Sequence, residues 1–424
     1  MIACDVLVVG AGPAGMAAAA AAAENGRRVC LLDQNAAAGG QIWRGYHEKH
    51  AANEPHGQVF AGLMGRLRSA GLAMRSEESV VAAVAQRVLR VESESRSEDI
   101  GYEQLILATG ARERFLPFPG WTLPGVTGVG GLQALVKAGL PIAGKRVVLA
   151  GSGPLLLAVA AGLAKRGARI EGIFEQAPLS RLIRLGAALV SQPSKIAEGL
   201  RYRVAVGSAS LKADAWVTRG HGSDRLVGVT VRVGGKERAL DCDYLGCSFH
   251  LIPNLELPLL LGCRVERGSA VVDGSQMSSV DGIYCAGELT GIGGLDKALV
   301  EGEIAGLAAA GRPVSHLLRQ RAARMRFAKQ LDETFAPRPE LRALAEATTL
   351  VCRCEDVPHA ALSGMRSWRE AKLHTRCGMG ACQGRICGPA TAAIFGWEHD
   401  SVRPPLLPAR VGSLAVPPPS VQSS

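Results

Sequence analysis

Residues 5–34, DVLVVGAGPAGMAAAAAAAENGRRVCLLDQ, constrain this chain more than any other stretch. An apolar strand at 6–9 leads into Gly10-x-Gly12-x-x-Gly15, an alanine-rich helix, a second strand at 29–32, and an acid, Asp33. Each glycine has its own steric task. Gly10 turns the chain tightly, Gly12 admits a pyrophosphate to the backbone, and Gly15 lets the helix pack closely on the strand. The helix N-terminus then faces the phosphates, and Asp33 is expected to accept hydrogen bonds from ribose hydroxyls. Pro13, Ala14 and Gln34 lie in the same turns and complete the expected contact surface. Strand, turn, helix and strand in this order predict one βαβ half of a dinucleotide-binding α/β domain.

The pattern returns at 144–176, GKRVVLAGSGPLLLAVAAGLAKRGARIEGIFEQ, with strands expected at 146–150 and 169–174. Gly151 and Gly153 repeat the first two glycines and Glu175 repeats the acid, but the third glycine position is Leu156. A bulky side chain there is expected to push the helix off the strand and obstruct the pyrophosphate. NAD(P)H use by this half is therefore in question. Three roles remain open for it: a domain kept for packing, a site adapted to another nucleotide or a flavin, or a working NAD(P)H site. Residues 116–250 contain no C-x-x-C pair, which counts against a redox dithiol, and Cys242 and Cys247 are expected to be buried apolar residues.

Three further stretches punctuate the chain: GGQIW at 39–43, LILATGAR at 105–112 and GIYCAGELTGIGG at 282–294. With the first fingerprint, they resemble the FAD-binding domain of the two-dinucleotide-domain flavoproteins related to thioredoxin and glutathione reductases. That resemblance implies FAD, held additionally by Gly40, Gln41, Ala108, Thr109, Gly110, Gly287, Glu288, Gly294 and Leu295. In such proteins a late acidic residue contacts the ribityl-phosphate region and the helix after it points its N-terminus at the flavin ring. Glu288 stands where those proteins usually have Asp.

Five of the eleven cysteines crowd into residues 352–387, an uneven distribution that argues against a secreted disulfide framework. VCRCEDV places Cys352 and Cys354 two apart, on one side of an extended segment. In TRCGMGACQGRICG, Cys377, Cys382 and Cys387 are spaced by five, which would make them diverge on a helix; the four glycines predict a wrapping loop instead. Four thiols converging from a strand and a loop suit an iron–sulfur cluster or structural zinc, and the absence of C-x-x-C knuckles favours a [2Fe-2S] cluster. The segment closely resembles the bacterioferritin-associated-ferredoxin-like (BFD-like) [2Fe-2S] domain. By that resemblance the ligands are Cys352, Cys354, Cys382 and Cys387, Cys377 is not a ligand, and the short interval from 354 to 377 suggests trimmed helices.

The expected fold class is α/β: two Rossmann-like, glutathione/thioredoxin-reductase-like dinucleotide-binding domains plus a small C-terminal BFD-like [2Fe-2S] domain. The FAD domain is expected at 1–115 and 251–312, the second NAD(P)-binding-like domain at 116–250, a helical linker at 313–345, the cluster domain at 346–400 and a proline-rich arm at 401–424. This combination, with FPGWTLPGV at 118–126 and GSGPLLLAVA at 151–160, resembles the FAD-containing subunits of heteromeric amino-acid and opine dehydrogenases along essentially the whole chain. That family includes the B subunit of hydrogen cyanide synthase, the A subunit of opine oxidase and the α subunits of D-hydroxyproline and dye-linked L-proline dehydrogenases. The resemblance implies an electron-relaying FAD-dependent oxidoreductase subunit. Its substrate-oxidising partner is a flavoprotein resembling D-amino-acid or glycine oxidases, with FMN sometimes bound at the interface between them and, as a further partner, a small ferredoxin-like subunit.

No substrate-oxidising constellation emerges from the residues, which agrees with a relay. Trp43 closes GGQIW, and Arg44, His47, His50 and His56 follow it; any of them could line a flavin pocket, but the histidines read more simply as surface residues. Net charge is +10, and residues 313–424 hold 15 Lys/Arg against 9 Asp/Glu, which suits an acidic partner, a membrane surface or an anionic substrate. Aromatics at 4% and the lack of a binding module exclude a nucleic-acid role. The run MAAAAAAAE lacks a basic segment before it and is broken by glycines, so a signal peptide is not expected. A cytoplasmic protein, with peripheral membrane contact as an option, is the expectation. Two other functions stay open: a self-contained NAD(P)H-dependent reductase feeding a ferredoxin-type acceptor, and a non-catalytic protein whose cysteine domain serves assembly.

Overall fold

In the computed structural model the described residues are 2–46, 56–190, 193–398 and 402–415. The chain divides into two compact units, Met1–Arg112 with Ile252–Lys329 and Asp400–Ser424, and Glu113–Leu251 with Gln330–His399. The cysteine-rich segment thus clusters with the second fingerprint, and the proline-rich arm with the first.

The first unit is built on a sheet ordered Met74–Arg75, Val29–Leu32, Ile2–Val9, Ser97–Leu107, Val88–Glu92, Ser79–Ala85. Ser97–Leu107 is long enough to serve three partners: it runs parallel to Ile2–Val9 and Ile283–Cys285 and antiparallel to Val88–Glu92. Side chains alternate across a strand, so one sheet makes two cores. Val6, Val8 and Ile106 face helices Pro13–Glu24, Gly57–Ser69 and Leu295–Ala309, whereas Leu7, Val9, Leu105 and Leu107 pack with Leu257 and Cys285.

The polyalanine helix is explained by what lies against it. Gly302 and Gly306 approach so closely that a Cβ on either would lie 2.9 Å from Ala14 Cα or Ala21 Cβ. Only small residues on both helices permit that spacing. The arm also belongs to this unit: the Leu406 N–H donates to the Val81 carbonyl at 2.9 Å, Leu406 is buried, and Arg90 donates to the Ser413 carbonyl at 3.1 Å.

The second unit holds an all-parallel sheet ordered Ser210–Lys212, Arg169–Glu175, Arg146–Ser152, Tyr244–Phe249, Val126–Thr127, beside an antiparallel sheet of Ala215–His221, Gly228–Val233 and Lys236–Asp241. Cys242 and Cys247 are fully buried in the core between these sheets, as apolar residues. The cysteine segment forms a hairpin of Leu350–Cys352 and Val357–Pro358 with helices His359–Leu362, Trp368–Thr375 and Cys387–Phe395. The interval expected to be trimmed therefore keeps two helices.

Candidate functional site

In the first cleft Gly10, Gly15 and Gly40 leave no room for a side chain. Gly10 has φ +106, and a Cβ there would lie 2.8 Å from the Ala108 carbonyl carbon; a Cβ on Gly15 would overlap the Gly10 carbonyl oxygen. Gly12 caps the helix with Pro13 in its first turn, and a Cβ on Gly40 would come 3.0 Å from Gly12 Cα. Asp33, buried at the end of its strand, accepts the N–H of Ala11 at 2.6 Å and of Asn35 at 2.8 Å. Asn254 fixes the neighbouring loop by accepting from Thr109 Oγ1 on its carbonyl at 3.0 Å and donating Nδ2 to the Thr109 carbonyl at 2.8 Å; its N–H bonds Gly110. Gln34 and Gln41 are exposed beside this concavity. A helix N-terminus, a close glycine backbone and a buried acid together fit the phosphate and ribose portions of a dinucleotide.

The late acid bonds within its own loop. Glu288 turns back and accepts the N–H groups of Gly293 and Gly294, each at 2.9 Å, so its carboxylate caps the start of helix Leu295–Ala309. Burial holds its carboxyl above the ordinary range against the opposing pull of Lys297 and the two N–H groups. Beneath it lies a network that the sequence reading missed. Lys297, fully buried, donates to Gly287 O at 2.7 Å, Thr290 Oγ1 at 2.6 Å and Glu301 Oε2 at 2.8 Å. Glu301 also accepts from the Gly287 N–H at 3.1 Å and Thr290 Oγ1 at 2.6 Å. The signal was a Lys and Glu four apart in an otherwise Ala/Gly/Leu-rich helix.

Trp43 is a core residue, packed against Phe60 with ring centroids 5.4 Å apart, and Arg44 donates to Asn35 Oδ1 at 3.0 Å. His56 precedes helix Gly57–Ser69 with φ +59, while His47 and His50 lie outside the described residues.

The second cleft keeps an acid that accepts loop N–H groups, as Asp33 does in the first, but differs in its helix start, in the loop N–H its acid takes and in what fills it. Its helix starts at Leu155 with Pro154 as cap, one residue later in the fingerprint than the first helix, which starts at Pro13 with Gly12 as cap. Leu156 does not face the cleft: it is buried in the core with Val147, Val159 and Ile173. Gly153 N–H, the group a pyrophosphate would need, donates instead to Glu175 Oε2 at 2.7 Å, and Ala177 N–H donates to Oε1 at 2.8 Å. Burial outweighs both bonds and pushes the Glu175 carboxyl up to about 7.

The chain's own connector takes the remaining donors. Ser152 Oγ donates to the Phe335 carbonyl at 2.9 Å, and Gln176 Nε2 reaches Ser152 Oγ at 2.9 Å and the Phe335 and Ala336 carbonyls at 3.4 Å. The Arg338 N–H returns a bond to Gln176 Oε1 at 3.1 Å, its guanidinium pairs with Asp214, and it stacks over Trp216 at 4.3 Å. The ribose end of this cleft is filled by polypeptide.

The cysteines form a third site in the same unit. The Sγ atoms of Cys352, Cys377 and Cys387 lie within 4.8 Å of one another and all three residues are buried. Cys382 is half-buried and contacts both Cys387 and Cys354, the exposed member. The glycines shape the loop: Gly378 and Gly384 have left-handed φ of +81 and +78 and lie under the Trp368 ring, and a Cβ on Gly380 would overlap Cys354 Cβ. The neighbouring Cys377 and Cys387 thiols, then the backbone N–H groups of Gly378 and Glu355, hold the Cys352 thiol far below its ordinary range despite burial. Converging thiols with backbone donors aimed at sulfur fit an iron–sulfur cluster. The structure draws Cys377 into this set, which the sequence had set apart.

No helix among the described residues is long and apolar enough to cross a membrane. Residues 4–310 match the family model for pyridine nucleotide-disulphide oxidoreductases. The A subunit of opine oxidase from Rhizobium meliloti (strain 1021) is 35% identical over 97% of this chain and 98% of its own length. Hydrogen cyanide synthase subunit HcnB of Pseudomonas protegens is 30% identical over 90% of this chain and 89% of its own. The crystal structure of L-proline dehydrogenase from P. horikoshii superposes with a TM-score of 0.69 at 20% identity, covering 98% of this chain and 80% of that one, a likeness of fold. The chain belongs to the pyridine nucleotide-disulphide oxidoreductase family as an FAD-dependent oxidoreductase, related along its length to HcnB and the A subunit of opine oxidase.

Proposed function

We propose that this chain is the FAD- and [2Fe-2S]-containing subunit of a heteromeric dehydrogenase or oxidase that acts on an amino acid, imino acid or opine. It relays electrons from a substrate-oxidising flavoprotein subunit to an external acceptor. The observation that carries this is the thiol set of residues 352–387 in the same chain as a well-formed dinucleotide cleft, while the second cleft is filled by residues 335–338. A bound flavin takes up electrons in pairs and a [2Fe-2S] centre passes them singly, so the pair suits a relay.

In this proposal the residues that hold FAD are Gly10, Gly12, Gly15, Asp33, Gly40, Ala108, Thr109, Gly110 and the loop from Gly287 to Leu295. Cys352, Cys354, Cys382 and Cys387 hold the cluster. The domain division of the sequence reading belongs to the same proposal, as does a location in the cytoplasm. FMN at a subunit interface and a ferredoxin-like third subunit are its less constrained extensions.

A partner is supported by the names of the relatives, which are subunits, and by one surface. Leu179, Ile183 and Val190 on one helical run and Ile196, Leu200 and Val204 on the next are 37–79% exposed at helical spacing. The same two helices carry Arg181, Arg184, Lys195, Arg201 and Arg203 against one acid, Glu198. A second copy would bring the same positive charge, so the occupant proposed is the flavoprotein subunit, through an apolar patch rimmed by carboxylates.

The test is to purify the chain, count flavin and iron, and mix it anaerobically with candidate substrates, with and without the co-purified partner. FAD and two irons per chain, and flavin bleaching by substrate only with the partner, are expected. Zinc in place of iron, or fast bleaching by NADH, would favour the assembly module or the self-contained reductase.

A further inference from the structure

Five thiols meet where a binuclear cluster has four ligand positions. A [2Fe-2S] core carries its thiolates as one pair on each iron at opposite ends, so three sulfurs all this close to one another cannot all be its ligands. Cys352, Cys377 and Cys387 are such a trio, within 4.8 Å of one another. One of them must sit beside the core rather than on it.

The backbone around Cys377 is fixed from both sides. Helix Trp368–Thr375 ends at Arg376 in a left-handed conformation, φ +64. Thr375 Oγ1 donates to the Ala371 carbonyl at 2.6 Å and accepts the Cys377 N–H at 3.2 Å. On the other side, left-handed Gly378 is pressed under the Trp368 ring. The side chain thereby points inward with no exposed surface, toward the Cys352 and Cys387 sulfurs. A thiol is a weak donor, and away from water the partners its S–H meets among the described residues are the Cys352 and Cys387 sulfurs.

We propose that Cys377 is a positioning residue rather than a ligand: its thiol donates an S–H···S hydrogen bond to the cluster sulfur of Cys352 or Cys387 and raises the reduction potential of the cluster. Donors to ligand sulfur disperse the negative charge that grows on reduction, and so favour the reduced state. A hydrophobic residue of similar size would leave the cage closed but remove the donor. This rests on the iron–sulfur assignment proposed above.

The test uses the full chain with Cys377→Ala, Cys377→Ser and Cys377→Val, and Cys382→Ala as control. Iron per chain, the visible spectrum, the electron paramagnetic resonance of the reduced cluster and its midpoint potential are measured. All three Cys377 variants should keep the wild-type iron content, while Cys382→Ala loses it. The potential should fall in Cys377→Ala and Cys377→Val and stay near or above wild type in Cys377→Ser, whose hydroxyl still donates. Loss of iron in all three, with flavin retained, would make Cys377 a ligand and overturn the proposal, as would unchanged potentials in Ala and Val. If one variant loses flavin as well as iron, it has misfolded and the other two decide. A wild-type chain carrying zinc would instead defeat the cluster assignment itself, and this proposal with it.

Discussion

Ser152 donates its hydroxyl to the Phe335 carbonyl at 2.9 Å, inside the second glycine fingerprint, and Gln176 closes the same contact from the other side. A nicotinamide dinucleotide would have to displace this connector and also win Gly153 N–H back from Glu175. NADH and NADPH are therefore expected to leave the flavin oxidised for minutes under anaerobic conditions. Bleaching within seconds by either, followed at the flavin band, would show that the connector opens and the cleft works.

Leu156 was expected to be an obstacle in the cleft and is instead a core residue at 2% exposure. Removing it should not create a binding site. Leu156→Ala is expected to cost about 2–5 kcal/mol, the range for deleting a well-packed leucine side chain, and to leave the chain still unreactive toward NADH. Denaturant unfolding, read from a probe in the second unit, checks the first part. A variant as stable as wild type, or newly reducible by NADH, would contradict it.

Much of the fold was legible because glycine fingerprints are steric statements. Gly10 and Gly15 exclude a Cβ by backbone contacts that the pattern itself implies, and Asp33 ends its strand where the spacing put it. The connector was not legible. Phe335 and Ala336 act through main-chain carbonyls, which every residue type offers, so no side-chain pattern marks them. How close Cys377 lies to Cys352 and Cys387 was not legible for a related reason: spacing shows which thiols share a loop but not which way a left-handed turn at Arg376 and Gly378 aims each one. Glu288 was found, although its carboxylate meets Gly293 and Gly294 of its own loop.

The buried ion pair under that loop gives a stability prediction with an internal control. Lys297→Met leaves Glu301 a buried carboxylate without its main cation, and breaking such a pair costs about 3–5 kcal/mol. Arg321 at 3.4 Å from Glu301 offers partial relief. Lys297→Met combined with Glu301→Leu removes both charges and should recover most of the loss. Thermal unfolding of the two single variants and the double one tests this. A double variant as unstable as the sum of the singles would mean that the loop bonds to Gly287 and Thr290 matter more than the charge pairing.

The cofactor sites should be separable. Gly15→Val drives a side chain into the Gly10 carbonyl and is expected to abolish flavin binding, yet the cysteine segment lies in the other compact unit and should keep its iron. Cys382→Ser should do the reverse. Flavin and iron contents of both purified variants check the pair. Loss of both cofactors in each would mean that the two units do not fold independently.

The last expectation concerns the chain on its own. The sequence offers no residue constellation suited to oxidising a C–N bond. The basic, apolar helices around Ile183 and Leu200 offer a surface for another subunit. Isolated chain mixed anaerobically with glycine, proline, hydroxyproline or opines should therefore keep its flavin band. Bleaching should appear when the flavoprotein partner is supplied. If docking draws on the positive charge of that surface, the rate at limiting partner should fall as salt shortens the Debye length from about 10 Å at 0.1 M to about 3 Å at 1 M. Ile183→Glu with Leu200→Glu should weaken assembly without changing the flavin or iron content of the chain. Catalytic bleaching by substrate without a partner would place substrate oxidation in this subunit, and salt-independent assembly with both glutamates present would move the docking surface elsewhere.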